Sequence, residues 1–303
     1  PLADAMRTHA IAVVLLALGW GCSAPPATQS PTVAPDSTRE HHAADTSPVD
    51  DSPPTVDVRA QTEERPACLL VTAASGTIVI RSDPDRCALR LRPYSTFKIP
   101  NSLIALETGI VAGASSVIPW NESAYPKQPW WPEVWTSRVH DLHSAFRHSF
   151  VPYYREVAKR VGAERMGRYV RQFRYGNQSI EGSIDSFWLD GTIAISADEQ
   201  VRFLRKLYDE DLGVSPRTTA IVKEIMVRER RGDHIISAKT GTGDAPNGKA
   251  LGWLVGYVEH GPDVHFFAFH VEGTTYDAIN STWRFERLTT MLTKLGIWPA
   301  DSP

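Results

Sequence analysis

Apolar residues along the chain switch between two spacings. Near the front, "ACLLVTA" and "TIVIR" are short apolar runs around the turn residues "AASG", the pattern of two strands. From Ser95, "STFKIPNSLIALETG" takes helical spacing and stops at Gly109. A loop rich in tryptophan and proline follows, "PWNESAYPKQPWWPEVW". Helical spacing returns in "LHSAFRHSFVPYYREVAKRVGAERMGRYVRQF" and in "SADEQVRFLRKLYDE", where Ser196 and Glu199 form a capping box. The chain closes with "HIISAKTGTG", "KALGWLVGYVEH" and "VHFFAFHVE" as strands, the last two joined by the turn residues "HGPD" into an antiparallel hairpin, and with an amphipathic helix in "TWRFERLTTMLTKLGI". Strands at both ends and helices between them predict an α+β domain over residues 67–300: one antiparallel sheet flanked by helices, with an all-helical insert.

One position breaks the pattern. Lys98 sits inside an apolar helical stretch, one turn from Ser95. A buried ammonium is costly unless it is paired, neutralised or chemically altered.

Composition separates the rest of the chain from this domain. Residues 23–66 hold 8 of the 22 prolines and no aromatic residue, too little apolar surface to offset the entropy of ordering, and they read as a disordered, proline-rich acidic tether. Their eight acids and three arginines give about −5 of charge, so the whole-chain −3 leaves about +2 beyond residue 66. That balance argues against a nucleic-acid partner, which calls for a pronounced basic face. Residues 1–22 contain Met6, Arg7, an apolar run from Ala10 to Leu18 and then small residues, the order of a secretory signal. The run is shorter than the roughly 20 residues that span a bilayer, and the five residues before Met6 read as upstream sequence. Export to a periplasmic space is the expectation. Cys22 could accept lipid and anchor the protein to a bacterial membrane, or the signal could simply be cleaved; Gly19 stands where lipoprotein signals carry an aliphatic residue. The other two cysteines, Cys68 and Cys87, are either bridged across neighbouring strands, as an exported domain permits, or buried as thiols.

Three groups of residues could carry chemistry. Ser95 and Lys98 share a helix face, with the first-turn backbone donors beside the serine. "HSFVPYY" supplies Ser149 and Val151, and "SAKTGTG" supplies Lys239, Thr240 and Gly241 on a strand whose glycine would let a substrate backbone approach. Each is weak alone. In this order, S-x-x-K, a serine and K-T-G form the signature set of penicillin-recognising serine enzymes. With "SFVPYYREVAKRVG", "YGNQSIEGSIDSFWLDG" and "KTGTG...LGWLVGYVE", nearly all of residues 67–298 resembles the class D, oxacillinase-type β-lactamases.

The resemblance implies a function and a set of roles. The chain would hydrolyse β-lactam antibiotics and confer resistance to them. Ser95 would attack the β-lactam carbonyl. Lys98 would take up carbon dioxide, supplied as bicarbonate, to become N6-carboxylysine, the general base; no prosthetic group and no metal are implied. Trp188 would hold that carbamate, with Phe97 and Val151 as apolar walls. Ser149 would relay a proton to the leaving nitrogen, helped by Lys239. The N–H groups of Ser95 and Thr242 would form the oxyanion hole. Arg284, with Thr240 alongside, would bind the substrate carboxylate, Arg287 being the competitor. "YGN" (Tyr175, Gly176, Asn177) would shape the wall near Trp188. The tryptophan loop either borders the cleft mouth or packs the helical insert.

Other readings are weaker. "HDLH" at 140–143 lacks a paired acid and a third ligand, so a metal hydrolase is set aside and its histidines are read as solvated helix residues. A penicillin-sensor domain keeps the serine and lysine but follows several transmembrane helices. A cell-wall transpeptidase or carboxypeptidase shares the three motifs but gives Trp188 no task.

Overall fold

The computed structural model describes residues 55–300. The signal, Cys22 and residues 23–54 lie outside the described residues. The last dozen residues of the expected tether are folded instead. Asp57 caps a helical turn, α1 (Val58–Gln61), by accepting from the Ala60 N–H. Val58 and Thr62 are buried, and the Thr62 hydroxyl donates back to the Val58 carbonyl. Arg65 lies over the Trp283 ring at 4.9 Å. The low average hydrophobicity of 23–66 hid one valine and one capped turn sufficient to dock this end.

The strands are β1 (Ala67–Ala73), β2 (Ile78–Arg81), β3 (Val227–Arg231), β4 (His234–Asp244), β5 (Ala250–His260) and β6 (Asp263–Gly273). They form one antiparallel sheet in the order β2-β1-β6-β5-β4-β3. The remaining helices are α2 (Pro84–Ala88), α3 (Lys98–Glu107), α4 (Leu142–Arg147), α5 (Val151–Val161), α6 (Ala163–Gln172), α7 (Ala197–Tyr208), α8 (Pro216–Met226) and α9 (Ser281–Lys294). The period-2 alternation of strands sorts the two cores. Leu69, Val71, Ile236, Leu254, Phe267 and Phe269 pack with Val58 and with Leu288, Met291 and Leu292 of α9. Their neighbours Leu70, Trp253, Val255, Phe266 and Ala268 pack on the other face against the helical insert. Helices cover both faces, so β5 is buried from Ala250 to Val258 rather than alternating.

Cys68 and Cys87 are disulfide-bonded, but Cys87 lies on α2, not on a strand. Pro84 at the helix start ends the extended run before the cysteine is reached. His140 also departs from the reading of its motif: it precedes α4, is 3% exposed, and stacks on Phe150 at 4.4 Å, whereas His143 on α4 is exposed.

Candidate active site

Ser95 lies in a 3-10 turn, Tyr94–Phe97, that leads into α3. Its own N–H belongs to the first turn, where backbone donors have no intrahelical acceptor. Tyr94 holds φ +47°, an uncommon conformation for a tyrosine. Its hydroxyl donates to the Asp244 carbonyl (2.6 Å) and accepts from the Asp244 N–H (2.8 Å), tying the serine's turn to the edge of β4. That edge is bare because β3 pairs with β4 only from His234 to Ser237. Along an antiparallel strand, residues two apart direct both N–H and C=O to the same side. Asp244 points its pair outward to Tyr94, so Thr242 and Thr240 present theirs along the same edge, toward Ser95. The Thr240 carbonyl does accept from Lys239 Nζ (3.0 Å).

Gly241 permits this approach. A Cβ there would stand 2.7 Å from the Pro93 carbonyl oxygen and 3.3 Å from the Thr96 nitrogen. The glycine of K-T-G is therefore required by the protein's own turn, where the sequence suggested room for a substrate backbone.

Lys98 is fully buried and its Nζ donates to Ser95 Oγ at 2.8 Å. It sits 5.2 Å from the Tyr154 ring. Burial alone lowers the amine to about 7. Phe97, next in the chain, stacks on Trp188 (5.6 Å, 17°) and meets Phe187 and Tyr175 edge-on. Trp188 is fully buried, and no acceptor among the described residues lies within hydrogen-bond reach of its Nε1. A buried indole N–H normally finds a partner. The "YGN" segment has a structural part: Gly176 (φ +52°) lies where a Cβ would be 2.1 Å from the Ala194 carbonyl, and the Asn177 side chain bonds the backbone of Thr192 and Ala194.

Lys239 lies on the β4 face toward the insert, opposite in parity to Ile236 and Ala238. It is 3% exposed and its Nζ donates to Ser149 Oγ (2.5 Å). Ser149 has φ +55° in the sharp break between α4 and α5, with half-buried Val151 opening the next helix. Burial, then the nearby charges of Lys98, Arg228 and Arg284, hold the Lys239 ammonium well below the usual lysine range.

Thr240 and Thr242 have the other parity and face α9. Arg284 on α9 is 1% exposed, donates from Nη2 to Thr242 Oγ1 (2.9 Å), and has no partner among the described residues for Nε and Nη1. Its seat is Gly252, where a Cβ would be 2.1 Å from Nη1. Arg287 instead points to Glu63 at 3.4 Å and stands over Trp283. The tryptophan loop joins the same neighbourhood. Trp135 donates to the His148 carbonyl (2.8 Å) and meets Phe150 edge-on, while Trp130, 70% exposed, stands against Trp131 and Trp135. The loop both packs on the insert and flanks the Ser149 break.

Tyr94 and Arg228 escaped the sequence reading. Tyr94 acts on a strand 150 residues away. Arg228 sits in an unrecognised strand, and with Lys239 and Thr240 it lines a hollow of about 20 Å³. A cavity of about 440 Å³ lies apart from this chemistry, between α1 and the β1–β2 edge.

A family model described as the penicillin binding protein transpeptidase domain matches residues 60–289. "Beta-lactamase OXA-48" of Klebsiella pneumoniae is 46% identical over 187 residues, 62% of this chain and 68% of the relative. The chain belongs to the class D serine β-lactamases. "Beta-lactamase OXA-10" of Pseudomonas aeruginosa is 39% identical over 194 residues, 63% of this chain and 70% of that one. The class D β-lactamase crystal structure from Nostoc superposes with a TM-score of 0.73 at 31% identity, covering 80% of this chain and 100% of the other. The six-stranded antiparallel sheet and its helices are thus the fold of this family.

Proposed function

We propose that the enzyme hydrolyses β-lactams through an acyl-enzyme on Ser95, and so confers resistance, with Lys98 carboxylated on its amine as the base. The observation that carries this reading is the pair of unmet needs around Lys98: a buried amine near neutrality, bonded to the serine, and a buried indole N–H at Trp188 without an acceptor. Carbon dioxide on the neutral amine supplies a carboxylate, which can take the serine proton and also accept the Trp188 N–H.

The chain's own groups then divide the work. Ser95 Oγ loses its proton toward Lys98 and bonds the carbonyl carbon. The Ser95 and Thr242 N–H groups hold the developing oxyanion. The amide C–N bond breaks as the Ser149 hydroxyl, kept polarised by Lys239, delivers a proton to the nitrogen. Arg284 and Thr240 hold the substrate carboxylate, supported by the free guanidinium donors beside Thr242. Water, deprotonated from the Lys98 side, splits the ester and restores Ser95. Export to the periplasm, directed by residues 1–22 and with Cys22 as the lipid acceptor if one is used, belongs to the same proposal.

The test is stopped-flow and steady-state turnover of a chromogenic cephalosporin, with and without bicarbonate. Sustained turnover enhanced by bicarbonate is expected. One stoichiometric burst that stalls in both conditions would make the chain a β-lactam sensor and overturn the hydrolase reading.

A further inference from the structure

The end of the sheet beyond β3 gathers three metal-ligating side chains that the chemistry at Ser95 does not use. Arg231 and His234 pair across a two-residue hairpin loop, Gly232–Asp233, with Gly232 at φ +60° as a type II′ turn requires. His234 is also paired directly with His260 across β4 and β5. Directly opposed residues have neighbouring Cβ atoms, so the two rings meet. They stack at 3.8 Å with only 9° between planes.

Asp233 completes the group from the turn. One carboxylate oxygen lies 3.0 Å from His234 Nδ1 and the other lies 3.0 Å from His260 Nε2. The three donor atoms all lie within 4.8 Å of one another. Access is open, since the Asp233 and His260 side chains are 73% and 48% exposed. His234 is held more firmly, at 16% exposed and with Trp298 edge-on to its ring at 6.1 Å.

We infer that Asp233, His234 and His260 form a site for a divalent transition-metal ion, zinc in the first instance. Two imidazoles and one carboxylate suit zinc, with water completing the shell. Calcium and magnesium take oxygen ligands and fit this donor set poorly. The ion would replace the hydrogen bonds that now run from ring nitrogens to carboxylate, and the exposed His260 ring would turn out of the stack so that its in-plane lone pair meets the ion. The ion would pin the β3–β4 turn to the end of β5, on the same strand that carries Lys239. The site is structural and independent of the reaction at Ser95.

Binding to the folded chain alone raises its melting temperature. At zinc about a hundredfold above Kd the rise should be about 5–10 °C for a domain of this size. The experiment uses the full chain stripped with a chelator, titrated with zinc chloride by calorimetry, and with cobalt(II) by visible absorption. One saturable equivalent is expected, weakened at least about tenfold in His260→Ala and in Asp233→Asn. Both variants should turn over a chromogenic cephalosporin as the parent does in metal-free buffer, which verifies their fold. Absence of saturable binding overturns the proposal. So does binding undiminished in both variants, which would place the ion elsewhere, as at His41 and His42.

Discussion

Lys98 and Trp188 are each anomalous alone and make sense together. An amine buried without a counter-ion loses its charge, and a buried indole donor needs an acceptor. We predict that Trp188→Phe, which keeps the stack on Phe97 but removes the N–H, lowers kcat about 10–100-fold at ambient carbon dioxide, as loss of a hydrogen bond to a charged group would. Added bicarbonate should restore part of it; an unchanged rate without bicarbonate removes Trp188 from the role. Arg284 gives a second contrast. Arg284→Ala should raise KM for anionic β-lactams about 10–100-fold with little change in kcat. Arg287→Ala should do neither, because that guanidinium is engaged with Glu63 and Trp283. The reverse result would exchange the two residues. Both arginines were visible in "STWRFERL", but their difference was not. It depends on a hole at Gly252 on a neighbouring strand, which no local pattern reveals.

At the scale of elements, the site is the meeting of one strand edge with one strained turn. The apolar strands and amphipathic helices were legible because burial imposes their periodicity. β3 was not: "VRERR" is a charged edge strand with only one side to bury, and edges of this kind avoid apolar surface. Its shortness leaves β4 bare at Lys239–Asp244, and Tyr94 then occupies part of that edge. Gly241→Ala tests the closeness of the contact. The added carbon must push β4 from the Pro93 carbonyl and displace the Thr242 N–H. We expect kcat to fall about 100-fold, comparable to losing an oxyanion donor, while overpacking lowers Tm by about 2–12 °C. A variant with parental kcat would show that the strand and turn need not lie so near. The His234–His260 pair was hidden for a related reason. The sequence drew attention to "HDLH", whose residues are close in the chain, whereas the converging ligands are 26 residues apart and meet only through sheet register.

Across the whole molecule, the charge around the site is one-sided. Arg228 on β3, Lys239 on β4 and Arg284 on α9 bring cations from three elements, and until Lys98 on α3 is carboxylated the charges that act on Lys239 are all cations. This field favours an anionic substrate and adds to the lowering of the Lys239 ammonium, and it predicts a pH signature. Carbon dioxide bonds to the neutral amine with release of one proton, so the dissolved carbon dioxide needed for half-maximal activity should rise about tenfold for each unit of falling pH. Below about 7 the amine is itself protonated, a second proton must leave, and the dependence should steepen toward about a hundredfold per unit. Stability follows the same group in carbon-dioxide-free buffer. The unfolded amine holds its proton up to its ordinary value of 10.5, the folded one only to about 7. Between those limits the unfolded chain binds more protons, so this residue's contribution to stability rises with pH through the window and is flat below it. Against Lys98→Met, the parent's Tm should therefore gain between pH 7 and pH 9. A dependence on dissolved carbon dioxide already at its steeper slope by pH 8, or a Tm difference independent of pH, would mean that Lys98 keeps an ordinary amine and that burial alone does not prepare it for carbon dioxide.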